Sequence, residues 1–130
     1  MAVSEELARL TEDVPKPISP DVHAVLDYAV ASTYLAVGMA LAPRHRRAAT
    51  LAFVNSAMVF GLAMLTDYRG GVWRVISFKS HGVADAFQAA LAGLGPVLMG
   101  FSEDAEATYF YGQAASEVAV IAATDWNAAA

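Results

Sequence analysis

Two histidine–aspartate pairs have the residue types and the spacing of a buried polar site. His23 precedes Asp27 by four residues, and His81 precedes Asp85 by the same interval. Residues four apart lie on one face of a helix, so each carboxylate can accept a proton from its imidazole and fix the tautomer. Each pair is followed along the chain by a Thr-Asp dipeptide. We expect one polar clasp formed by eight side chains: His23, Asp27, Thr66, Asp67, His81, Asp85, Thr124 and Asp125.

A direct repeat with an offset of 58 residues relates the two pairs. At that offset Ile18-Ser19 recurs as Ile76-Ser77, and the tripeptide at 66–68 recurs at 124–126 with no gap. Each repeat has room for two helices, so both repeats run in the same direction about a pseudo-twofold axis. All the clasp residues are therefore expected at one end of the bundle.

The leading interpretation of the clasp is structural and requires no metal or cofactor. Three alternatives stay open. Neutral imidazoles of His23 and His81 could ligate a haem iron or the magnesium of a pigment. The same histidines with Asp27 and Asp85 could bind zinc or iron. A proton or solute path could also run through these groups and Glu117, because ionisable residues inside membrane spans often mark such paths.

The elements that carry these residues are long and apolar. Apolar residues make up 57% of the chain and charged residues 16%, against about 45–50% and about 25% in soluble domains. No acid or base occurs within 28–43, 48–66 or 86–102, and Glu117 is the only charge within 107–124. A membrane span needs about 20 such residues. The sequence predicts an all-α fold: a four-transmembrane-helix bundle built from two parallel two-helix repeats.

Residues 1–20 differ from the rest and are predicted to form a polar N-terminal arm, with a short helix from Ser4 to about Thr11. Residues 21–126 form the predicted four-span membrane domain, with repeat 1 at 18–68 and repeat 2 at 76–126. We expect location in a bacterial inner membrane. The basic residues near the span ends slightly favour cytoplasmic termini: Lys16, Arg69, Arg74 and Lys79 on the side of the termini, against Arg44, Arg46 and Arg47.

Four polar side chains fall inside the predicted spans: Asn55, Gln88, Gln113 and Glu117. Glu117 has no acidic counterpart, because the repeat places Val59 at the matching position. An unpaired charge in a low dielectric is costly. We therefore expect Glu117 to be neutral and hydrogen-bonded to Asn55 or Gln88, or else to face a cation.

The chain resembles small bacterial membrane proteins of the SPW-repeat type, which are named for a Ser-Pro-Trp triplet in the first helix of each repeat. The corresponding stretches are 41–44, with Pro43, and 94–101, with Pro96. The His81-Gly82 dipeptide and the ending Thr66-Asp67-Tyr68 also fit that family. Only the proline of the triplet is present in either copy. The resemblance covers residues 18–126 and implies a four-span membrane protein without an assigned activity.

Composition excludes several functional classes. The absence of cysteine removes thiol chemistry and Cys-ligated metal sites, and the net charge of −5 argues against a nucleic-acid partner. The chain has no phosphate-binding loop, nucleophile elbow or His-Glu-x-x-His motif. We expect a non-enzymatic structural or accessory subunit whose partners are the lipid bilayer and other membrane subunits or further copies of itself. The alternatives are a haem- or pigment-binding electron-transfer module and a small transporter.

Overall fold

Four α-helices account for most of residues 15–129. The computed structural model describes residues 15–129, so the helix predicted from Ser4 lies outside the described residues. The helices are α1 (Pro20–Leu41), α2 (Arg46–Leu65), α3 (Phe78–Leu98) and α4 (Ala107–Ala123). No extended strand occurs among residues 15–129, and the predicted all-α class is confirmed.

Local sequence explains where the helices begin. The hydroxyl of Ser19 accepts a hydrogen bond from the backbone N–H of Val22 at 3.3 Å, and Ser77 accepts one from Ser80 at 3.2 Å. Both serines are N-caps, and Pro20 follows at the first helical position, where its missing N–H costs nothing. The ring of His45 caps α2 in the same way.

The two repeats meet through a matching pair of short backbone bridges. Ile18 pairs in parallel with Thr124, and Thr66 pairs in parallel with Ile76. Asp125 N donates to Ile18 O at 2.9 Å. The repeat-related residues make the same bond, from Asp67 N to Ile76 O at 2.7 Å. The start of each repeat is thus tied to the end of the other, as a pseudo-twofold axis requires. Residues 15–20 therefore lead directly into the repeat structure.

Small residues allow close packing within the bundle. Ala31, Ala48, Ala52, Ala63 and Ala92 are fully buried at 0% exposure, so the backbones approach closely. The repeats do not pack symmetrically. α2 lies directly against α3, whereas the matching pair α1 and α4 makes few backbone contacts and has a cavity between them.

Two helices, α1 and α2, are long and apolar enough by themselves to cross a membrane. α3 has 21 residues and α4 has 17, and both carry buried ionisable groups. The prediction of a helical bundle is confirmed. By length and composition two helices qualify as membrane spans, and the prediction of four spans stays a prediction. Pro96 lies inside α3, two residues before that helix ends.

Candidate functional site

Four buried ionisable side chains converge where the parallel bridges join the repeats. The Nε2 atom of His23 lies 2.9 Å from Asp85 Oδ2 and 3.3 Å from Asp27 Oδ1. The Nε2 atom of His81 lies 3.2 Å from an oxygen of each aspartate. Both histidines are buried at 1% exposure or less, and both aspartates at 7%. Each histidine therefore faces the carboxylates of both repeats, not only the one on its own helix.

Two threonines determine where the imidazole protons lie. The hydroxyl of Thr66 is 2.6 Å from the carbonyl oxygen of Leu62 and 2.6 Å from His81 Nδ1. A carbonyl can only accept, so the hydroxyl donates its one hydrogen there and must accept from the ring. Thr124 makes the equivalent contacts, to Val120 O at 2.6 Å and to His23 Nδ1 at 2.9 Å. Both rings consequently carry a proton on Nδ1 and direct Nε2 at the carboxylates, and the 2.9 Å hydrogen bond between His23 Nε2 and Asp85 Oδ2 requires a further proton between those two atoms.

The two carboxylates have different neighbours. The phenol of Tyr68 donates to Asp27 Oδ2 at 2.8 Å. The repeat replaces Tyr68 by Trp126, whose indole N–H donates to the carbonyl of Ile121 instead, at 2.9 Å. Burial and the neighbouring carboxylate of Asp27 raise the pKa of Tyr68, so its hydroxyl stays a donor at neutral pH. Asp27 is held by a phenol, whereas Asp85 has no such partner from the matching position.

The predicted clasp is larger than the cluster in the structure. The side chain of Asp67 is exposed, and that of Asp125 accepts a local hydrogen bond from Asn127 N at 3.1 Å. Neither carboxylate reaches the histidines, because the chain at these residues is committed to the parallel bridges through its backbone. The cluster consists instead of His23, Asp27, Thr66, Tyr68, His81, Asp85 and Thr124.

A second buried polar group lies deeper in the bundle, around Glu117. Tyr34 donates to the two carboxyl oxygens of Glu117 at 3.1 and 3.2 Å. Asn55 and Gln88, the expected partners of Glu117, instead bond to each other at 2.7 Å, with Gln88 3.5 Å from the Tyr34 hydroxyl. Gln113 is half-buried on α4, one turn before Glu117. The repeat gives no signal for Tyr34, since its matching position is Ala92.

A cavity of about 90 Å³ joins the two polar groups. It lies between α1 and α4 and is lined by His23, Asp27, Asp85, Gln88 and Glu117 together with aliphatic side chains. On the other side of the bundle α2 and α3 pack together, and Val59 of α2, at the position that matches Glu117, forms part of the cavity wall. Asp27 and Asp85 of the cluster therefore both border this cavity.

The donor set limits the chemistry of this centre. Two imidazole nitrogens and two carboxylates suit zinc and other first-row divalent ions. A haem or pigment ring is disfavoured, because the carboxylates already lie within 3.3 Å of the imidazole nitrogens that would have to bind it. The imidazole rings themselves are 5.1 Å apart at nearly right angles. The geometry permits a single ion or a set of protons between the four groups.

Comparisons with protein-family models, curated proteins and solved structures give no match to this chain. The resemblance to SPW-repeat proteins therefore stays a prediction.

Proposed function

We propose that the protein is an integral membrane protein whose four helices all cross the bilayer, and that it is a non-enzymatic structural or accessory subunit. The single observation that carries the membrane part is the distribution of polarity. Ionisable side chains are buried between the helices, while no exposed residue within 28–43, 48–65, 83–98 or 107–123 is charged. This is the reverse of a water-soluble bundle of similar size.

Helices α3 and α4 support the proposal although their average hydropathy is modest. Every exposed residue of α3 from Val83 onward is apolar: Val83, Ala86, Phe87, Ala90, Leu94, Val97 and Leu98. None of the exposed residues within 107–123 is charged. Beyond Lys79 in the first turn of α3, the charges that lower the hydropathy of these helices are Asp85 and Glu117, and both are buried. Lipid would contact only the outward faces, so an average over all faces understates their apolar character.

The accessory role is supported by a small-residue face on α3. Gly82, Ala86 and Ala90 follow one another at intervals of four residues on its accessible side, next to Phe87 and Trp126. Small side chains let a second helix approach closely in lipid, where dispersion contacts replace the hydrophobic drive. A transmembrane helix of another subunit, or of another copy, fits this face.

Membrane topology is tested by single cysteines, since the chain contains none. Lys79→Cys and Asp67→Cys are both exposed at the end that carries the bridges, and Glu103→Cys is exposed in the opposite turn. An impermeant maleimide applied to sealed, inside-out vesicles should label Lys79→Cys and Asp67→Cys and spare Glu103→Cys, if the termini are cytoplasmic as we propose. Labelling of all three from both sides, or release of the protein by carbonate, would disprove the membrane-spanning arrangement.

The docking face is tested by purification from native membranes in a mild detergent. Ala86→Leu adds bulk to the face on α3, and Ala36→Leu makes the same change on the exposed side of α1 as a matched control. We expect Ala86→Leu, but not Ala36→Leu, to lose a co-purifying partner or the self-associated form. A single monomeric species from the wild-type protein would contradict the accessory role.

Transport is the second candidate, and the cavity that joins the histidines to Glu117 is the observation that favours it. A proton moving along this side of the bundle would pass Asp85, Gln88 and Glu117. Proton flux into liposomes should then fall in Glu117→Gln, which keeps the side-chain shape but cannot titrate. Equal flux in the wild-type protein, Glu117→Gln and protein-free liposomes would exclude it.

A further inference from the structure

We propose that His23, Asp27, His81 and Asp85 form a binding site for one divalent transition-metal ion, with zinc as the best-matched class. The site goes beyond the docking role, which does not depend on it. Its ligands are the Nε2 atoms of the two histidines and one oxygen from each aspartate. Each repeat contributes one histidine and one aspartate, so the ion would bridge the two hairpins.

The nitrogen-to-oxygen spacing of the four groups is close to that around a tetrahedral ion. Zinc binds histidine nitrogen and carboxylate oxygen at about 2.0–2.2 Å, which places neighbouring ligands of a tetrahedron about 3.3–3.5 Å apart. The four nitrogen-to-oxygen distances in the cluster are 2.9, 3.2, 3.2 and 3.3 Å, with Asp27 contributing Oδ1 to the contact with His23 and Oδ2 to the contact with His81. The four residues each offer a ligand atom within 4.8 Å of the others, so an ion would draw in groups that already face one another.

The Nδ1 hydrogen bonds aim Nε2 of each ring at the metal position, where an incoming ion would displace the proton shared by His23 Nε2 and Asp85 Oδ2. Thr66 and Thr124 accept the Nδ1 protons, so a neutral ring presents the Nε2 lone pair to the centre of the cluster. Metal-binding histidines in proteins commonly donate their other N–H in this way, which fixes the ring orientation. Tyr68 orients Asp27 from the opposite side by its 2.8 Å hydrogen bond. The cluster thus has the outer support that a metal site needs.

The Nε2 atom of His81 supplies an independent indication. This atom is fully buried and, among the described residues, has no hydrogen-bond partner, although two carboxylate oxygens lie at 3.2 Å. A buried polar atom without a partner is costly unless an ion or proton satisfies it. Two neutral imidazoles, two carboxylates and one divalent cation sum to zero charge. That neutrality suits the low-dielectric interior of the bundle.

A second histidine–acid group, His45 with Asp104, is unsuited to metal binding and serves as a comparison. His45 accepts the backbone N–H of Ala48 through Nδ1, so its proton lies on Nε2 and is donated to Asp104 at 2.8 Å. Neither ring nitrogen is free there, and Asp104 is exposed. His45 and Asp104 are explained by helix capping and a surface hydrogen bond, which makes His45 a natural control.

The test is a titration of the full-length protein in detergent, first stripped with a chelator, using Co²⁺ as a spectroscopic probe and Zn²⁺ as competitor. We expect one Co²⁺ per chain with the intense visible absorption of a tetrahedral site, displaced by Zn²⁺. Asp85→Asn should weaken Co²⁺ binding by at least about 100-fold, while Asp67→Asn and His45→Gln should leave it unchanged. Thr66→Val should weaken it by about 10–100-fold through the loss of ring orientation.

Circular dichroism on each variant keeps the result interpretable, and the wild-type stoichiometry decides the matter even if Asp85→Asn does not fold. A folded wild-type protein that binds neither ion overturns the proposal and leaves a clasp held by protons. Equal affinity of the wild-type protein and folded Asp85→Asn, or loss of binding in His45→Gln, would also overturn it. The cysteine-labelling pattern is unaffected by these outcomes, so the membrane proposal stands or falls separately.

Discussion

Thr66→Val is the substitution that most directly tests the hydrogen-bonding logic of the buried cluster. The variant replaces a hydroxyl by a methyl group of nearly the same shape at a residue with 0% exposure. The backbone of Thr66 is extended, with φ −85° and ψ 142°, a conformation that the β-branched side chain of valine favours. The change therefore removes two hydrogen bonds and little else.

The expected loss of stability follows from what is left behind. The Nδ1–H of His81 loses its acceptor inside a fully buried site, and an unsatisfied buried donor costs about 1–3 kcal/mol. The carbonyl of Leu62 also loses the threonine donor, a smaller effect. We expect Thr66→Val to lower the free energy of unfolding by about 1–3 kcal/mol. Thr124→Val should behave alike because its contacts are equivalent.

Thr33→Val provides the matched control. Thr33 makes the same backward hydrogen bond, to the carbonyl of Ala29 at 2.9 Å, but its side chain is exposed and contacts no histidine. Exposed substitutions of this kind change stability by less than about 0.5 kcal/mol. The measurement is unfolding of each variant in mixed micelles by increasing SDS, followed by far-UV circular dichroism. If Thr66→Val and Thr33→Val unfold at the same SDS fraction, the threonine does not hold the histidine proton and our tautomer assignment is wrong.

Two further predictions use the same titration. Tyr34→Phe removes the hydroxyl that donates to Glu117 and should lower the free energy of unfolding by about 1–3 kcal/mol. Glu117→Gln keeps an acceptor for Tyr34 and should lower it less. The reverse order would contradict the assigned donor. Gly95→Ala would push a methyl group into the Leu51 side chain and should lower the free energy of unfolding by about 1–3 kcal/mol. The methyl group of Gly112→Ala meets nothing within 4 Å, so that variant should be as stable as the wild-type protein or more stable. Equal effects of the two substitutions would refute the close packing of α2 on α3.

Much of the bundle could be predicted from the sequence because the internal repeat shows which residues occupy equivalent positions. Four long apolar runs indicated four helices, and the 58-residue offset indicated that matching residues lie at one end. The histidines, Asp27 and Asp85 could be placed together on that basis. Thr66 and Thr124 could be placed near them, since they recur at the helix ends. Periodicity and repeat symmetry together gave the four ionisable groups of the centre without any tertiary information.

The errors arose where the backbone, not the side chain, makes the important contact. Asp67 and Asp125 share the repeat and the polarity of the other residues, yet their main chains form the parallel bridges and their side chains turn away. A motif alone cannot distinguish these two uses of a residue. Tyr34 was missed for a different reason. Its phenol belongs to a polar site only because α4 brings Glu117 to within 3.1 Å of it. That long-range contact leaves no recognisable pattern in the sequence around Tyr34.

The two repeats depart from internal symmetry around the cavity. Val59 and Tyr68 of repeat 1 are matched by Glu117 and Trp126 of repeat 2, so Asp27 accepts a phenol hydrogen bond while Glu117 adds a carboxyl group to the cavity wall. A duplication selected only to hold two hairpins together has no need for this difference, because a symmetric clasp would satisfy every buried group equally. A buried carboxyl beside a cavity carries a desolvation cost that a valine avoids. Glu117 carries that cost in the wall of a cavity that His23, Asp27 and Asp85 also line, and this cavity is the route by which we expect an ion or a proton to enter the centre.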